Sequence, residues 1–210
     1  MARLTGARPA GQELVAGNLY DKYHTRNPVA RHLMAGYLRA FDRLFPARPG
    51  EQVLEMGCGE GYLLRHLHRY HPGVWAAGAD LSLDILRVAT RHGCPGAPFL
   101  QASAYQLPWR SASCDWVVAC EVLEHLDRPE DALDEIRRVC RRGCLVSVPR
   151  EPHWSLANLM RLRYLRRVGN TPGHVQRWGR HDFVELVDRY FSVEVVAGPF
   201  PWTLVRGGKR

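Results

Sequence analysis

Short apolar runs alternate along most of this chain with longer segments whose apolar positions recur every three or four residues. Short runs bounded by glycine, proline or charge are typical of buried strands, and the longer spacing is typical of amphipathic helices. The pattern predicts strands at 52–56, 74–80, 97–101, 116–120, 143–148, 192–197 and 202–205, and helices at 29–45, 60–70, 82–92, 129–141 and 180–189. The alternation predicts an α/β protein in which helices cover both faces of a mostly parallel sheet.

The residues before the first predicted strand fall into two regions. Residues 1–11 are rich in Arg, Gly and Pro and are expected to form a flexible tail. Residues 12–46 carry a helical pattern that breaks at Asn27-Pro28, and proline suits the first turn of a new helix. Tyr20 lies in this helical region, which could cover a ligand as a lid or simply pack on the domain predicted for residues 47–210.

A glycine-rich turn joins the first predicted strand to the next helix. Residues 53–64 read Val-Leu-Glu-Met-Gly-Cys-Gly-Glu-Gly-Tyr-Leu-Leu. Glycines let the backbone turn sharply and let a ligand lie against it, while the N–H groups that open the helix face that ligand. The spacing G-x-G-x-G is one residue shorter than the dinucleotide fingerprint, and Glu55 would repel a pyrophosphate. These features argue against a nicotinamide-dependent oxidoreductase, and the carboxylate suits a ligand with an ammonium group.

A second carboxylate ends the next predicted strand. Asp80 stands 19 positions after Gly61. At the tip of the second strand of such a sheet, a carboxylate can accept hydrogen bonds from both hydroxyls of a ribose. The alternative is that Asp80 only supports the turn into the helix that Ser82 caps.

The sequence E-x-G-C-G-x-G at 55–61 resembles the first motif of class I S-adenosylmethionine (SAM) methyltransferases of the type 11 and type 12 kind. Residues 102–109 resemble the family's G-D-A-x-x-L-P-F segment: Ala104 matches, and Ser103 replaces the residue that accepts a hydrogen bond from the adenine amino group. The resemblance covers about residues 50–205 and implies a Rossmann-like sheet with an antiparallel last strand and SAM as cofactor. The implied cofactor site comprises Glu55, Gly57, Cys58, Gly59, Gly61, Asp80, Leu81, Ser103, Ala104, Cys120 and Tyr20.

Two carboxylates and an imidazole follow the fourth predicted strand, in the sequence Glu-Val-Leu-Glu-His at 121–125. If these residues form a helical turn, Glu121, Glu124 and His125 share one face at the carboxyl end of the sheet, where open α/β sheets bind their ligands. Oxygen and imidazole ligands suit Mg²⁺, Mn²⁺, Fe²⁺ or Zn²⁺.

The pattern E-x-x-E-H resembles ubiquinone-pathway O-methyltransferases and small-RNA 3′-terminal 2′-O-methyltransferases. In the RNA enzymes a later histidine completes a metal site, and His174 of Gly-His-Val-Gln-Arg-Trp at 173–178 matches it. The resemblance implies metal ligation by Glu121, Glu124, His125 and His174, and catalytic roles for Glu121, His125 and His174. A metal would lower the pKa of the acceptor hydroxyl. Without a metal, His125 or His174 would act as general base.

The composition of the chain indicates further classes of binding partner. The 210 residues carry a formal net charge of +8, which favours an anionic partner or serves solubility alone. The insert predicted at about 149–180 contains a basic amphipathic segment, 154–167, which could cap the pocket, contact an acidic membrane surface or form a solvated face. There is no secretory leader, no long apolar run and no C-x-x-C pair among six cysteines, so we expect a cytoplasmic protein with reduced core thiols.

The leading hypothesis is a SAM-dependent methyltransferase that acts on a hydroxyl oxygen of a small-molecule or lipid-like acceptor, which could be anionic. The alternatives are metal-dependent methylation of RNA 3′ ends and a non-catalytic SAM-fold binding protein. Acceptor choice depends on the shape formed by residues 1–45 and 149–180, and the motifs encode neither the acceptor nor the oligomeric state.

Overall fold

The computed structural model describes residues 25–91, 96–155 and 174–210, and these residues form a seven-stranded sheet with helices on both faces. The strands are β1 (Gln52–Met56), β2 (Trp75–Asp80), β3 (Phe99–Gln101), β4 (Cys114–Cys120), β5 (Cys140–Pro149), β6 (Ser192–Ala197) and β7 (Trp202–Gly208). The helices are α1 (Pro28–Leu44), α2 (Tyr62–Tyr70), α3 (Leu83–Arg91), α4 (Pro129–Val139) and α5 (Arg180–Tyr190), with a single 3₁₀ turn at Leu123–His125.

The strand order is β3-β2-β1-β4-β5-β7-β6. β1 pairs in parallel with β2 on one side and with β4 on the other. β7 runs antiparallel to both of its neighbours, β5 and β6, which confirms the predicted mostly parallel sheet with an antiparallel last strand. The order reverses between β1 and β4, and such a switch point opens a ligand crevice at the carboxyl ends of the strands.

Two apolar layers hold the helices to the sheet. One packs Leu133 and Ile136 of α4 and Phe183 of α5 against one face. The other packs Phe41 of α1 and Leu67 of α2 against the opposite face. All five side chains are almost fully buried, so the parallel strands are covered on both sides and read as continuous apolar runs rather than alternating ones.

The start of α1 follows the sequence signal. Asn27 accepts hydrogen bonds from the N–H groups of Val29 and Ala30 at 2.9 and 3.2 Å, and Pro28 occupies the first turn. The side-chain cap satisfies two of the N–H groups that a helix start leaves unpaired. The helical pattern predicted before Asn27, with Tyr20, lies outside the described residues, as do 156–167 of the basic segment.

The boundary between α4 and β5 differs from the prediction. The sequence predicted a helix to residue 141 and a strand from 143, whereas α4 ends at Val139 and β5 begins at Cys140. Arg141 and Arg142 look helix-compatible, but their side chains reach from the strand to Asp115 at 3.5 Å and Glu51 at 3.3 Å. These tertiary ion pairs suit an extended backbone, which local propensity does not encode.

The cysteines that the structure describes are free thiols, and Cys58, Cys114, Cys140 and Cys144 are buried, as expected for core residues. Burial raises the pKa of the Cys140 thiol to about 11. These thiols are therefore protonated at neutral pH and poorly nucleophilic. Among the described helices, each is too short or too polar to cross a membrane.

Candidate active site

The glycine turn after β1 lies at the switch point. Gly57, Gly59 and Gly61 have positive φ angles of 72°, 52° and 75°, a conformation that other residues adopt at a cost. The N–H groups of Gly57 and Cys58 donate to the carbonyl oxygen of Ala79 at the end of β2, over 2.7 and 3.0 Å. The turn is thus tied to the neighbouring strand in a fixed shape.

The first two glycines are needed for different reasons. A Cβ at Gly57 would lie 2.4 Å from Cγ2 of Val122, so the turn packs directly against the loop after β4. A Cβ at Gly59 would have no neighbour within 4 Å. The backbone at Gly59 therefore borders open space at the carboxyl edge of the sheet. This open position is a cradle that a ligand can enter, and a side chain would partly fill it.

Glu55 is buried in β1, with 4% of its surface exposed, and its Oε2 atom has no hydrogen-bond partner. Burial raises the pKa of this carboxyl well above its ordinary value, and the nearby negative charge of Asp80 raises it further. A buried, unsatisfied carboxylate oxygen costs free energy unless a partner supplies a donor or positive charge. The site is thus built to receive a donor or cationic group.

Asp80 connects the glycine turn to the start of α3. Its Oδ2 accepts from the N–H of Gly59 at 3.0 Å, and its Oδ1 accepts from the N–H of Ser82 at 2.9 Å. A carboxylate has about four acceptor positions, so both oxygens can accept further hydrogen bonds. Asp80 therefore supports the turn, as one of the two sequence interpretations expected, and its ribose role stays a prediction. Leu81 follows with half of its surface exposed.

The predicted adenine segment forms a tight turn after β3. The Oγ atom of Ser103 accepts from the N–H of Tyr105 at 3.2 Å, and Ser103 forms an isolated bridge with Gln106. The hydroxyl is thus used as a turn cap, although it keeps a proton to donate. Ala104 packs against the main core cluster.

Glu121 does not belong to the helical turn predicted for residues 121–125. Its φ is 61°, and the 3₁₀ turn begins only at Leu123. Its N–H donates to the carbonyl of Ser147 in β5 at 3.0 Å, and its Oε2 accepts from the indole Nε1 of Trp202 at 2.8 Å. The expectation of one shared face depended on a helical turn over residues 121–125, and the structure has that turn only from Leu123. The Glu121 carboxylate reaches Trp202 at the start of β7.

A cluster of three donors lies just beyond. Ligand atoms of Glu124, His125 and His174 all lie within 4.8 Å of one another, and Glu121 is not part of this set. The rings of His125 and His174 meet edge-on at a centroid distance of 4.9 Å. Backbone bonds hold the segment after His174 in place, since the N–H groups of Val175 and Gln176 both donate to the carbonyl of Glu124. The sequence match of His174 thus corresponds to proximity in space.

A series of aromatic contacts that the motifs did not indicate leads from the buried core to this cluster. The ring of Trp202 lies 5.1 Å from that of Tyr37 and 5.8 Å from that of Trp154, and Trp154 stacks on His174 at 6.2 Å. Tyr37 also shares a 2.8 Å hydrogen bond with Ser147. Burial raises the pKa of the Cys120 thiol to about 12. These aromatic residues come from three places: α1, the segment that follows β5, and β7 itself. A local motif cannot connect positions that are so far apart in the chain.

Comparison with known proteins agrees with this geometry. A family model described as a methyltransferase domain matches residues 54–148, from β1 to the end of β5. Residues 54–148 therefore form a methyltransferase domain of the class I SAM-dependent kind. The matched segment contains the glycine turn, Asp80 and the Glu121–His125 loop, but it leaves out α1, His174 and β7.

Two curated relatives show how far the likeness extends. A ubiquinone biosynthesis O-methyltransferase of Paracidovorax citrulli is 34% identical over 107 residues, which are 49% of this chain and 44% of the relative. A probable SAM-dependent methyltransferase of Mycolicibacterium smegmatis is 29% identical over 175 residues, 76% of this chain and 59% of the relative. The matches thus cover 35% to 59% of the length of the first relatives found.

The fold is shared with solved methyltransferases. The magnesium protoporphyrin IX methyltransferase of Synechocystis PCC 6803, solved with bound S-adenosylhomocysteine (SAH), superposes with a TM-score of 0.65. The superposition covers 89% of each chain, at 17% sequence identity. At this identity the likeness establishes the fold, and the acceptor has to be argued from the chain's own residues.

Proposed function

We propose that this protein transfers the methyl group of SAM to a hydroxyl oxygen of a small acceptor. The observation that carries the proposal is the side-by-side arrangement of two sets of groups at one edge of the sheet. The glycine turn with Glu55 and Asp80 follows β1 and β2, and the Glu124–His125–His174 cluster follows β4. The contact between Gly57 and Val122 joins the two sets.

The cofactor half of the site fits SAM by charge and shape. The methionine ammonium group supplies the positive charge that the buried carboxylate of Glu55 lacks. Asp80 offers acceptors for the two ribose hydroxyls, and the open backbone at Gly59 admits the ligand. Bound SAM would supply an electrophilic methyl group on a positively charged sulfur.

The acceptor half provides a place for the proton. The acceptor oxygen forms a bond to the methyl carbon while the carbon–sulfur bond breaks and its electron pair stays on sulfur. A ring nitrogen of His125 or His174 takes the hydroxyl proton, and Glu124 steadies the positive imidazole. The rate gain also depends on holding the oxygen, carbon and sulfur in line.

The same three donors suit a divalent metal. Two imidazoles and one carboxylate, within 4.8 Å of one another, fit Zn²⁺, Fe²⁺ or Mn²⁺. A metal held by Glu124, His125 and His174 would lower the pKa of the acceptor hydroxyl. Glu121, the fourth ligand that the sequence predicts, lies outside this set of three and accepts a hydrogen bond from the indole of Trp202.

The aromatic lining favours a flat or lipid-like acceptor. Tyr37, Trp202 and Trp154 make consecutive ring contacts that end on His174. Aromatic walls with few polar groups are typical of small-molecule sites. Several relatives are also named O-methyltransferases, among them a fatty-acid O-methyltransferase of Mycolicibacterium smegmatis. RNA 3′ ends are the second candidate, favoured by the net charge of +8.

Titration calorimetry with SAM and SAH tests the cofactor half directly, and absence of binding to either would refute the proposal. A radiolabelled methyl-transfer screen then compares phenols and hydroxylated lipids with small RNA. His174→Ala should retain SAM affinity and lose turnover, whereas His181→Ala, an exposed histidine on α5, should change neither. A chelator separates the two proton-handling schemes, because only the metal-assisted reaction stops. SAM binding without turnover on any acceptor would favour a binding protein.

A further inference from the structure

A second cluster of metal-binding side chains lies away from the active site, where α1 meets α2. Asp42 is in the last turn of α1, His66 is in α2, and His71 follows the last residue of α2. Oδ1 of Asp42 lies 2.7 Å from Nε2 of His66 and 2.9 Å from Nε2 of His71. Two imidazoles from one helix thus converge on a single carboxylate oxygen from another.

Packing fixes both rings in this orientation. His66 meets the ring of Phe41 edge-on at 6.2 Å, and His71 meets that of Phe45 edge-on at 4.6 Å. The side chains of His66 and His71 are only 11% and 20% exposed, whereas that of Asp42 is 37% exposed. Two preorganised nitrogen donors therefore sit beside a carboxylate that can adjust and that solvent can reach.

We propose that Asp42, His66 and His71 bind a Zn²⁺ ion, with water as the fourth ligand. Zinc prefers four ligands drawn from imidazole nitrogen, thiolate and carboxylate oxygen. With bonds of about 2.0–2.1 Å, two ligand atoms of a tetrahedral site stand about 3.3 Å apart. The two distances from Oδ1 of Asp42 are within about 0.6 Å of this value, and one ligand atom from each of the three residues lies within 4.8 Å of the others.

The proton balance is simple. A histidine ligates through a lone pair, so each bound ring carries its proton on Nδ1 and presents an unprotonated Nε2. A ring that donates Nε2–H to Asp42 would change tautomer on binding the ion. The carboxylate then offsets one of the two charges of the ion.

This site is independent of the methyl-transfer proposal. His71 follows the end of α2 that is farther from Gly61 and the glycine turn, and His66 lies in the middle of this helix. Asp42 belongs to the same helix as Tyr37, whose ring contacts Trp202 in the acceptor pocket. Zinc would therefore clamp α1 to α2 and hold one wall of that pocket, and its effect should appear first in stability.

Metal-stripped protein should bind Zn²⁺ in calorimetry, and its melting temperature should rise by about 5–10 °C at a hundredfold excess over the dissociation constant. His66→Ala and Asp42→Asn, each made in a His125→Ala background that disables the active-site cluster, should abolish this rise. His68→Ala is the matched control, because His68 is an exposed histidine on the same helix. Circular dichroism without metal shows whether each variant folds, and Asp42→Asn is the mildest change.

The active-site cluster is a competing zinc site, so His125→Ala serves as a second control. The proposal predicts that His125→Ala keeps the zinc-dependent rise and that Co²⁺-substituted protein lacks thiolate charge-transfer bands. A rise that survives when His66→Ala is combined with His125→Ala, or that disappears in His125→Ala or His68→Ala alone, would overturn the assignment. Absence of zinc binding in the parent protein would overturn it as well.

Discussion

The indole N–H of Trp202 donates to Oε2 of Glu121 over 2.8 Å, although the two residues are 81 positions apart in the chain. The bond joins the first residue of β7 to the loop after β4, and it is the basis on which we include β7 in the proposed acceptor site. Hydrogen bonds to charged groups contribute about 1.5–3 kcal/mol. Its removal should therefore be measurable.

Trp202→Phe removes this hydrogen bond and keeps an aromatic ring beside Tyr37. Turnover should fall about tenfold or more, corresponding to about 1.4 kcal/mol, because Glu121 and the acceptor wall lose their fixed positions. SAM affinity should change little. Trp116→Phe is the matched control, since the indole of Trp116 donates to Glu51 at 3.1 Å. An equal loss of turnover in both variants would show that the effect is general destabilisation.

Glu55→Gln should separate stability from cofactor binding. The raised pKa means that the folded state binds this proton more tightly than the unfolded chain does. In the parent protein, the contribution of Glu55 to the free energy of unfolding is therefore greatest below the pKa of the unfolded chain, 4.5. This contribution falls as the pH rises toward the pKa of Glu55 in the folded state. Each pH unit between these two pKa values corresponds to about 1.4 kcal/mol.

Thermal melts of the ligand-free protein at pH 4 and pH 8 test this sign. Glu55→Gln should be more stable than the parent at pH 8 and about equal to it at pH 4. SAM affinity at pH 8 should nevertheless drop, because the ammonium group loses its counter-charge. A variant that is less stable than the parent at pH 8 would contradict the inferred penalty of burying this carboxylate.

Gly57→Ala should mainly lower the stability of the protein, whereas Gly59→Ala should mainly lower its affinity for SAM. The first forces a Cβ to 2.4 Å from Val122 at a positive φ, so the free energy of unfolding should fall by about 2–5 kcal/mol. The second meets no neighbour and should cost only about 1–2 kcal/mol from its φ. Calorimetry should nevertheless find that Gly59→Ala loses SAM affinity, because its methyl group enters the cradle. Gly57→Ala combined with Val122→Ala should recover part of the lost stability.

Asp80→Asn should weaken both binding and the glycine turn. One of the two backbone hydrogen bonds becomes weaker or is lost, which should lower stability by about 1–2 kcal/mol. SAM affinity should fall at least tenfold, or about 1.4 kcal/mol. Asp84→Asn, at an exposed acid in the first turn of α3, should change stability by less than about 0.5 kcal/mol and leave binding intact. Normal SAM affinity in Asp80→Asn would show that Asp80 does not bind the ribose hydroxyls.

The fold was largely predictable because its strongest local patterns coincide with its tertiary packing. β1 has the predicted bounds of 52–56, since its apolar run is buried on both faces and ends in glycine. Asn27 and Pro28 marked the start of α1 for a purely local reason, a side-chain cap and a preset φ. The residues of the cofactor half of the site, from Glu55 to Asp80, belong to one continuous segment of the chain.

The acceptor half was less predictable because it depends on contacts between distant segments. The positive φ of Glu121 is held by pairing with β5 and by Trp202, and glutamate has no local preference for it. The motif correctly grouped Glu124 with His125 and, through resemblance, with His174. Tyr37 and Trp202 carry no motif, and only the sheet topology brings them together.

The position of β7 also determines the order in which the sheet can be completed. β7 follows β6 in the chain but lies between β5 and β6, so β6 has no partner in the sheet until β7 is in place. During synthesis, an emerging chain that already contains every recognised methyltransferase motif would still lack Trp202 and its contacts with Tyr37 and Glu121. Ribosome-bound intermediates arrested before Trp202 should therefore remain sensitive to proteases and acquire resistance only after residues 202–208 leave the exit tunnel.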